Sequence, residues 1–141
     1  MKDLLEIYKG KTVLVTGHTG FKGSWLAVWL NELGARVVGY SLDPINSRDN
    51  FNLTNIKDKI IDIRGDIRDS NKLNSVFEKY KPEIVFHLAA QPIVRYSYDH
   101  PKYTYEVNVM GTMNILEAIR ATNETKAGIM ITSDKCYENK E

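Results

Sequence analysis

The sequence is poor in the features that would take it out of an ordinary globular class. One cysteine, Cys136, among 141 residues excludes an internal disulfide and fits a reducing compartment. No apolar run approaches the length of a membrane span, and the opening Met1-Lys2-Asp3-Leu4-Leu5-Glu6 lacks the long apolar segment of a secretory leader. Neither sign of charge is in excess: 19 lysines and arginines face 18 acidic residues, a net of +1, so neither a nucleic acid nor an anionic membrane surface is expected as a partner. No metal is expected either. A chain of this length buries one core of ordinary domain size and not two. These readings together predict a cytoplasmic protein.

What the sequence does contain is organised around Gly17-His18-Thr19-Gly20-Phe21-Lys22-Gly23. This stretch follows the apolar run Val13-Leu14-Val15-Thr16 and opens into Ser24-Trp25-Leu26-Ala27-Val28-Trp29-Leu30, so a strand feeds a glycine-rich turn that feeds a helix. Glycines so placed let the backbone turn tightly, approach a pyrophosphate without a Cβ in the way and press the helix onto the strand. The helix N-terminus meanwhile offers unpaired N–H groups. A Walker-type triphosphate loop does not fit, because it needs Gly-Lys-Ser/Thr and here Lys22 precedes Gly23 and Ser24.

Strand and helix patterns alternate along the rest of the chain. Strands are expected at 12–16, 36–40, 59–64, 83–88 and 128–132. The helix after the glycine turn carries Leu26, Trp29, Leu30 and Leu33 at one spacing and stops at Gly34, and both tryptophans are expected to pack. A second helix sets Leu73, Val76, Phe77 and Tyr80 on one stripe, and a long segment at 103–121 points Val109, Met113, Leu116 and Ile119 inward. Loops are expected at 43–50 and 89–97, and residues 1–11 form a charged tail anchored by Leu4, Leu5, Ile7 and Tyr8. The alternation predicts an α/β, doubly wound parallel sheet with right-handed crossovers.

The spacing Gly-x-x-Gly-x-x-Gly, with Thr16 before it and Phe21 inside it, resembles the extended short-chain dehydrogenase/reductase superfamily, whose Rossmann-type fold implies the strand order 3-2-1-4-5, truncated before strand six. The resemblance implies that Gly17, Thr19, Gly20, Phe21, Lys22 and Gly23 hold the cofactor's pyrophosphate side. Ser41 stands where an acidic residue usually meets the adenosine ribose, with Asp43 two positions on and Arg48 within possible reach of a 2′-phosphate, so NAD and NADP both stay open. Asp66, with Ile67 beside it, matches the aspartate next to adenine, or else merely caps the following turn. Leu88, Ala89, Ala90 and Gln91 resemble the small-residue floor under the cofactor. His87 reads as a satisfied core histidine, and Asn108 looks like the buried asparagine that organises the active site.

Thr132-Ser133-Asp134-Lys135-Cys136-Tyr137 is similar to the strand-five end of the sugar-nucleotide 4,6-dehydratase branch, with CDP-glucose as the favoured substrate. There Ser133 supplies a hydroxyl, Asp134 an acid and Lys135 a base, lysine replacing the usual glutamate. A 4-epimerase, or a non-catalytic dinucleotide-binding module, remains an alternative. The superfamily's Tyr-x-x-x-Lys pair is not present, since residue 141, four after Tyr137, is glutamate. Residues 1–141 are therefore expected to be the NAD(P)-binding part of a larger homo-oligomeric enzyme, cut before strand six and inactive alone.

Overall fold

The computed structural model describes residues 6–133 and residue 138. Five strands, β1 (Thr12–Thr16), β2 (Arg36–Ser41), β3 (Ile61–Arg64), β4 (Ile84–His87) and β5 (Ala127–Met130), form one sheet in the order β3-β2-β1-β4-β5. Every pairing is parallel. Register aligns the carboxyl ends in one row, Ile63, Tyr40, Thr16, His87 and Met130, so that the turns leaving β1, β2 and β4 all start at one level. Residues 59, 60, 83, 88, 131 and 132 of the expected strands lie outside the observed ones, whereas β2 extends one residue further, to Ser41, and β5 begins one residue earlier, at Ala127.

Successive residues of a strand face opposite sides, and two cores follow. Leu14, Val38, Tyr40 and Val85 point to one side, with Leu73, Val76 and Phe77 of the helix α3 (Ser70–Tyr80) and Ile115 and Ala118 of the helix α6 (Thr112–Ala121). Val13, Val15 and Val37 point to the other, with Ala27 and Leu30 of α1 (Phe21–Glu32), Phe51 of the short α2 (Asn50–Leu53) and Ile56. Tyr8 joins this second core, its ring 6.4 Å from that of Phe86, whereas Ile7 is exposed. Leu4 and Leu5 lie outside the described residues.

Two helices bury faces that overlap only in part with those the apolar periodicity predicts: Leu30 is buried and Leu26 and Ile119 pack against the cores as expected, but other members of each stripe do not. In α1 the buried residues are Gly23, Ser24, Ala27 and Leu30, while Trp25 and Trp29 are 53% and 57% exposed. The helix is apolar nearly all round, so side-chain size decides: the small stripe lets it sit down on the glycine turn, and the bulky residues are displaced outward. Trp29→Gln should therefore change stability by less than about 1 kcal/mol, as exposed positions do. A large fall in the thermal midpoint would show that the indole is buried.

The segment at 103–121 is continuous but not one α-helix: α5 (Pro101–Tyr105) runs into a π-helical turn, Glu106–Gly111, and then α6. Val107, Gly111, Ile115 and Ala118 are buried in place of Val109, Met113 and Leu116, which are about half exposed. Gly111 allows the contact, since a Cβ there would lie 2.4 Å from Ile67 Cδ1. The expected loop at 89–97 is also partly helical, as α4 (Val94–Asp99) begins within it.

Candidate active site and dinucleotide cradle

The glycine turn sits at the carboxyl end of the central strand. Gly17 adopts φ +72°, a conformation that favours glycine, and donates its N–H to the Tyr40 carbonyl at 3.0 Å. A Cβ at 17 would lie 2.8 Å from Ala89 N, and one at 23 would lie 2.1 Å from the Gly17 carbonyl oxygen. Gly20 differs, its nearest obstacle being Gly17 O at 3.3 Å, and its outer side is exposed. As the N-cap of α1, Gly20 brings no side chain to the first-turn amides, so these donors remain for an anionic ligand. A pyrophosphate fits this cradle because a backbone surface without Cβ meets a helix N-terminus. Phe21 and Lys22 are exposed at its rim.

Thr19 and Ser41 tie the turn to β2. Thr19 Oγ1 donates to the Leu42 carbonyl at 3.1 Å, so the Ser41 hydroxyl, 2.8 Å away, donates to Thr19. Next to them lies a cluster the motifs do not reveal. His18 Nε2 is 2.8 Å from Asp62 Oδ1, and Arg64 reaches Asp62 Oδ2 at 2.8 Å, Asp43 Oδ1 at 3.4 Å and the face of Phe51 at 4.9 Å. Burial lowers the His18 pKa against the opposing pull of Asp62, so the cluster carries two carboxylates, one guanidinium and a neutral imidazole. The one sequence cue is the i, i+2 pair Asp62 and Arg64 on one face of β3.

At the end of β3, Asp66 takes the capping role: Oδ1 accepts the Arg68 N–H at 2.9 Å. Its carboxylate also holds the Arg68 guanidinium at 2.7 Å, which keeps Asp66 below the usual carboxylate range. Arg68 in turn reaches Glu106 at 3.2 Å and lies 4.8 Å over Tyr103. The Ile67 side chain is in the core, and its carbonyl accepts from Asn114 Nδ2 at 2.9 Å. Asp66, Arg68, Asp69, Glu106, Met110 and Asn114 surround an open cleft of about 520 Å³.

On the other side of the turn, β4 ends in a hydrogen-bonded floor. Thr16 Oγ1 accepts from Leu88 N at 3.1 Å and Ala89 N at 3.2 Å. Asn108 grips the Gln91 backbone twice, Oδ1 accepting its N–H at 2.8 Å and Nδ2 donating to its carbonyl at 3.0 Å. His87 is buried with both ring nitrogens bonded, to Thr16 and Thr112, and burial pushes its pKa down to about 4. Ala90 is exposed at the edge of this floor. The expected cofactor residues of the glycine turn, Ser41, Leu88, Ala89, Ala90, Gln91 and Asn108 thus share one rim, and Asp66 lies at its far end. Ser133, exposed, follows β5. Asp134 and Lys135, and with them Cys136 and Tyr137, lie outside the described residues, and among the described residues no helix is long and apolar enough to cross a membrane.

A family profile described as GDP-mannose 4,6 dehydratase matches residues 14–139. CDP-glucose 4,6-dehydratase of Salmonella typhimurium is 52% identical over 136 residues, 96% of this chain and 38% of that protein. Of solved structures, UDP-glucose 4-epimerase from Brucella ovis in complex with NAD superposes with a TM-score of 0.72 at 34% identity, covering 86% of this chain and 35% of the other. An epimerase from Methanothermobacter thermautotrophicus gives a TM-score of 0.75 at 30% identity, covering 94% and 38%. The chain therefore spans less than two fifths of the length of these relatives. A match running through nearly every element of the sheet, at identities well above those of fold likeness alone, makes this chain a member of the family described as GDP-mannose 4,6 dehydratase, within the extended short-chain dehydrogenase/reductases.

Proposed function

We propose that this chain is the dinucleotide-binding part of a nucleotide-sugar 4,6-dehydratase that uses NAD and converts CDP-glucose to CDP-4-keto-6-deoxyglucose and water. The observation that carries this reading is the 52% identity to a CDP-glucose 4,6-dehydratase across 96% of the chain, because the fold by itself hosts many activities. NAD is favoured over NADP by the cluster beyond Ser41. Asp43 and Asp62 already occupy Arg64, and His18 is neutral, so no spare cation of this cluster faces a 2′-phosphate.

Gly17, Gly20 and the first-turn amides of α1 hold the pyrophosphate, while Leu88, Ala89, Ala90 and Gln91 form the floor. When bound, NAD would supply acceptance of a hydride from C4 of the sugar and its return to C6, with the C5 proton restored by the protonated base. Oxidation at C4 acidifies the C5 proton, and loss of the C6 hydroxyl as water then needs a base at C5 and an acid at C6. Asp134, protonated, is assigned as the acid and Lys135, as the free amine, as the base, with the Ser133 hydroxyl orienting the sugar. An amine that ordinarily titrates near about 10.4 must be neutral to act as that base. On this reading the 141 residues alone bind dinucleotide weakly and give no product.

The test is incubation of the longer protein carrying this sequence with CDP-glucose and NAD. The expected product is lighter than the substrate by one water; a 4-epimer of unchanged mass would make the protein an epimerase, and no conversion in a preparation that binds NAD would leave only a binding module. Lys135→Met and Asp134→Asn are each expected to stall elimination while reduced cofactor accumulates after substrate is added. Turnover by both at the parent rate would remove the pair from the mechanism.

A further inference from the structure

We infer that His87 is a positioning residue for the dinucleotide floor: held as the neutral Nε2–H tautomer between Thr16 and Thr112, it sets the distance between the glycine turn and the loop that Asn108 clamps. The inference rests on the dinucleotide-binding reading above, and its starting point is hydrogen-bond accounting. Thr16 Oγ1 accepts the Ala89 amide and shares the Leu88 amide with the Thr16 carbonyl, and at the other end the Thr112 hydroxyl, which donates to the Asn108 carbonyl, must accept from His87 Nε2. The single Thr16 hydroxyl proton therefore goes to His87 Nδ1, 2.7 Å away. With Nδ1 accepting, the ring proton sits on Nε2 and is donated to Thr112 Oγ1 at 3.1 Å. The Thr112 hydroxyl donates onward to the Asn108 carbonyl at 2.7 Å.

Each bond in this series has one allowed direction, from the end of β1, through β4, to the π-helical turn. Its two ends are the two sides of the site. Gly17, next to Thr16, approaches Ala89 so closely that a Cβ would fall 2.8 Å from its amide nitrogen. Asn108, at the other end, grips the backbone of Gln91 through both arms of its amide. A π-helical turn is a frequent companion of functional sites, and here it carries the residue on which the series ends. A reversed ring, or a charged one, would set a donor against the Thr16 proton and break the series at its first link. The imidazole also lies in the row of strand ends and is buried.

The experiment uses the longer protein and three variants. His87→Met removes both bonds at similar volume, Thr112→Val removes only the second, and His87→Gln restores one acceptor and one donor. Thr112→Val is expected to weaken NAD binding about tenfold, the equivalent of one net hydrogen bond, and His87→Met more, with His87→Gln recovering most of the loss. Circular dichroism identifies any variant that fails to fold; Thr112→Val, which leaves the imidazole in place, carries the comparison if His87→Met does not fold. Nitrogen-15 spectra of the parent's imidazoles at neutral pH should show His87 protonated on Nε2 alone. An Nδ1–H or doubly protonated ring, or unchanged NAD affinity in folded Thr112→Val and His87→Met, would overturn the inference while leaving the dinucleotide reading intact. A parent that binds no dinucleotide would overturn that reading and this inference with it.

Discussion

Alanine in place of Gly23 is expected to destabilise the domain by about 4 kcal/mol or more, and to lower its thermal midpoint by roughly 10 °C or more. The added carbon would stand 2.1 Å from the Gly17 carbonyl oxygen, 2.7 Å from its carbonyl carbon and 2.9 Å from His18 Cα. All three obstacles are backbone, so no rotamer change relieves them. The turn would have to leave α1, and the stripe of Ala27 and Leu30 would lift off Val13 and Val15 with it. Gly20 provides the contrast, because its nearest neighbour is 3.3 Å away and belongs to the turn alone. Gly20→Val should fold with a modest loss and still fail to bind NAD, since the branched side chain fills the volume the pyrophosphate needs. Calorimetry and thermal unfolding of the two variants separate these outcomes. A Gly23→Ala protein that melts with the parent would refute the packing account, and a folded Gly20→Val protein with parent affinity would refute the cradle.

Acid should destabilise this domain well before its carboxylates are protonated. Both His18 and His87 are buried, and both titrate below the ordinary value near 6.5, His87 at about 4. Below pH 6.5 the unfolded chain therefore takes up protons that the folded one refuses. Stability rises with pH in such a window, so the contribution is fully present above 6.5 and is lost as pH falls toward 4. For His87 alone the loss is roughly 3 kcal/mol over that range. Asp66, held low by Arg68, adds a loss of the same sign at more acid pH. The thermal midpoint should hold from pH 8 to 7 and decline between about 6.5 and 4, and His87→Gln should flatten part of that decline. A midpoint that does not move across this window would mean that both imidazoles take up protons freely in the folded protein.

The glycine turn was legible in the sequence because its requirement is local. A positive φ at 17 and a close approach at 23 can be met by few residues other than glycine, and the strand and helix on either side are marked by their own apolar patterns. Alternation called for a parallel sheet with helical crossovers of one hand, and the order of its strands came with the family resemblance. Register did not follow in the same way: the row of Ile63, Tyr40, Thr16, His87 and Met130 is a pairing between segments that sequence spacing leaves free.

Side-chain burial was read less well wherever apolar residues surrounded a helix. In α1 the tryptophans dominate any hydrophobicity pattern, yet the fully buried residues are glycine, serine, alanine and one leucine, with Leu26 and Val28 packed partly against the same core. Along 107–118 the buried residues Val107, Gly111, Ile115 and Ala118 keep helical spacing, but two of them are glycine and alanine, so a hydrophobicity count selects the larger apolar residues of another face.

By itself, then, the sequence determined the type and succession of elements, the glycine cradle and the family resemblance, all of which depend on neighbours a few residues apart. Only the tertiary structure decided which polar groups meet: Thr16 with His87, His18 with Asp62, Asp43 with Arg64, and Asn108 with Gln91. The physical reason is that a buried polar group must find its partner in space, and the sheet brings together groups that are 71 and 44 residues apart along the chain in the first two of these pairs.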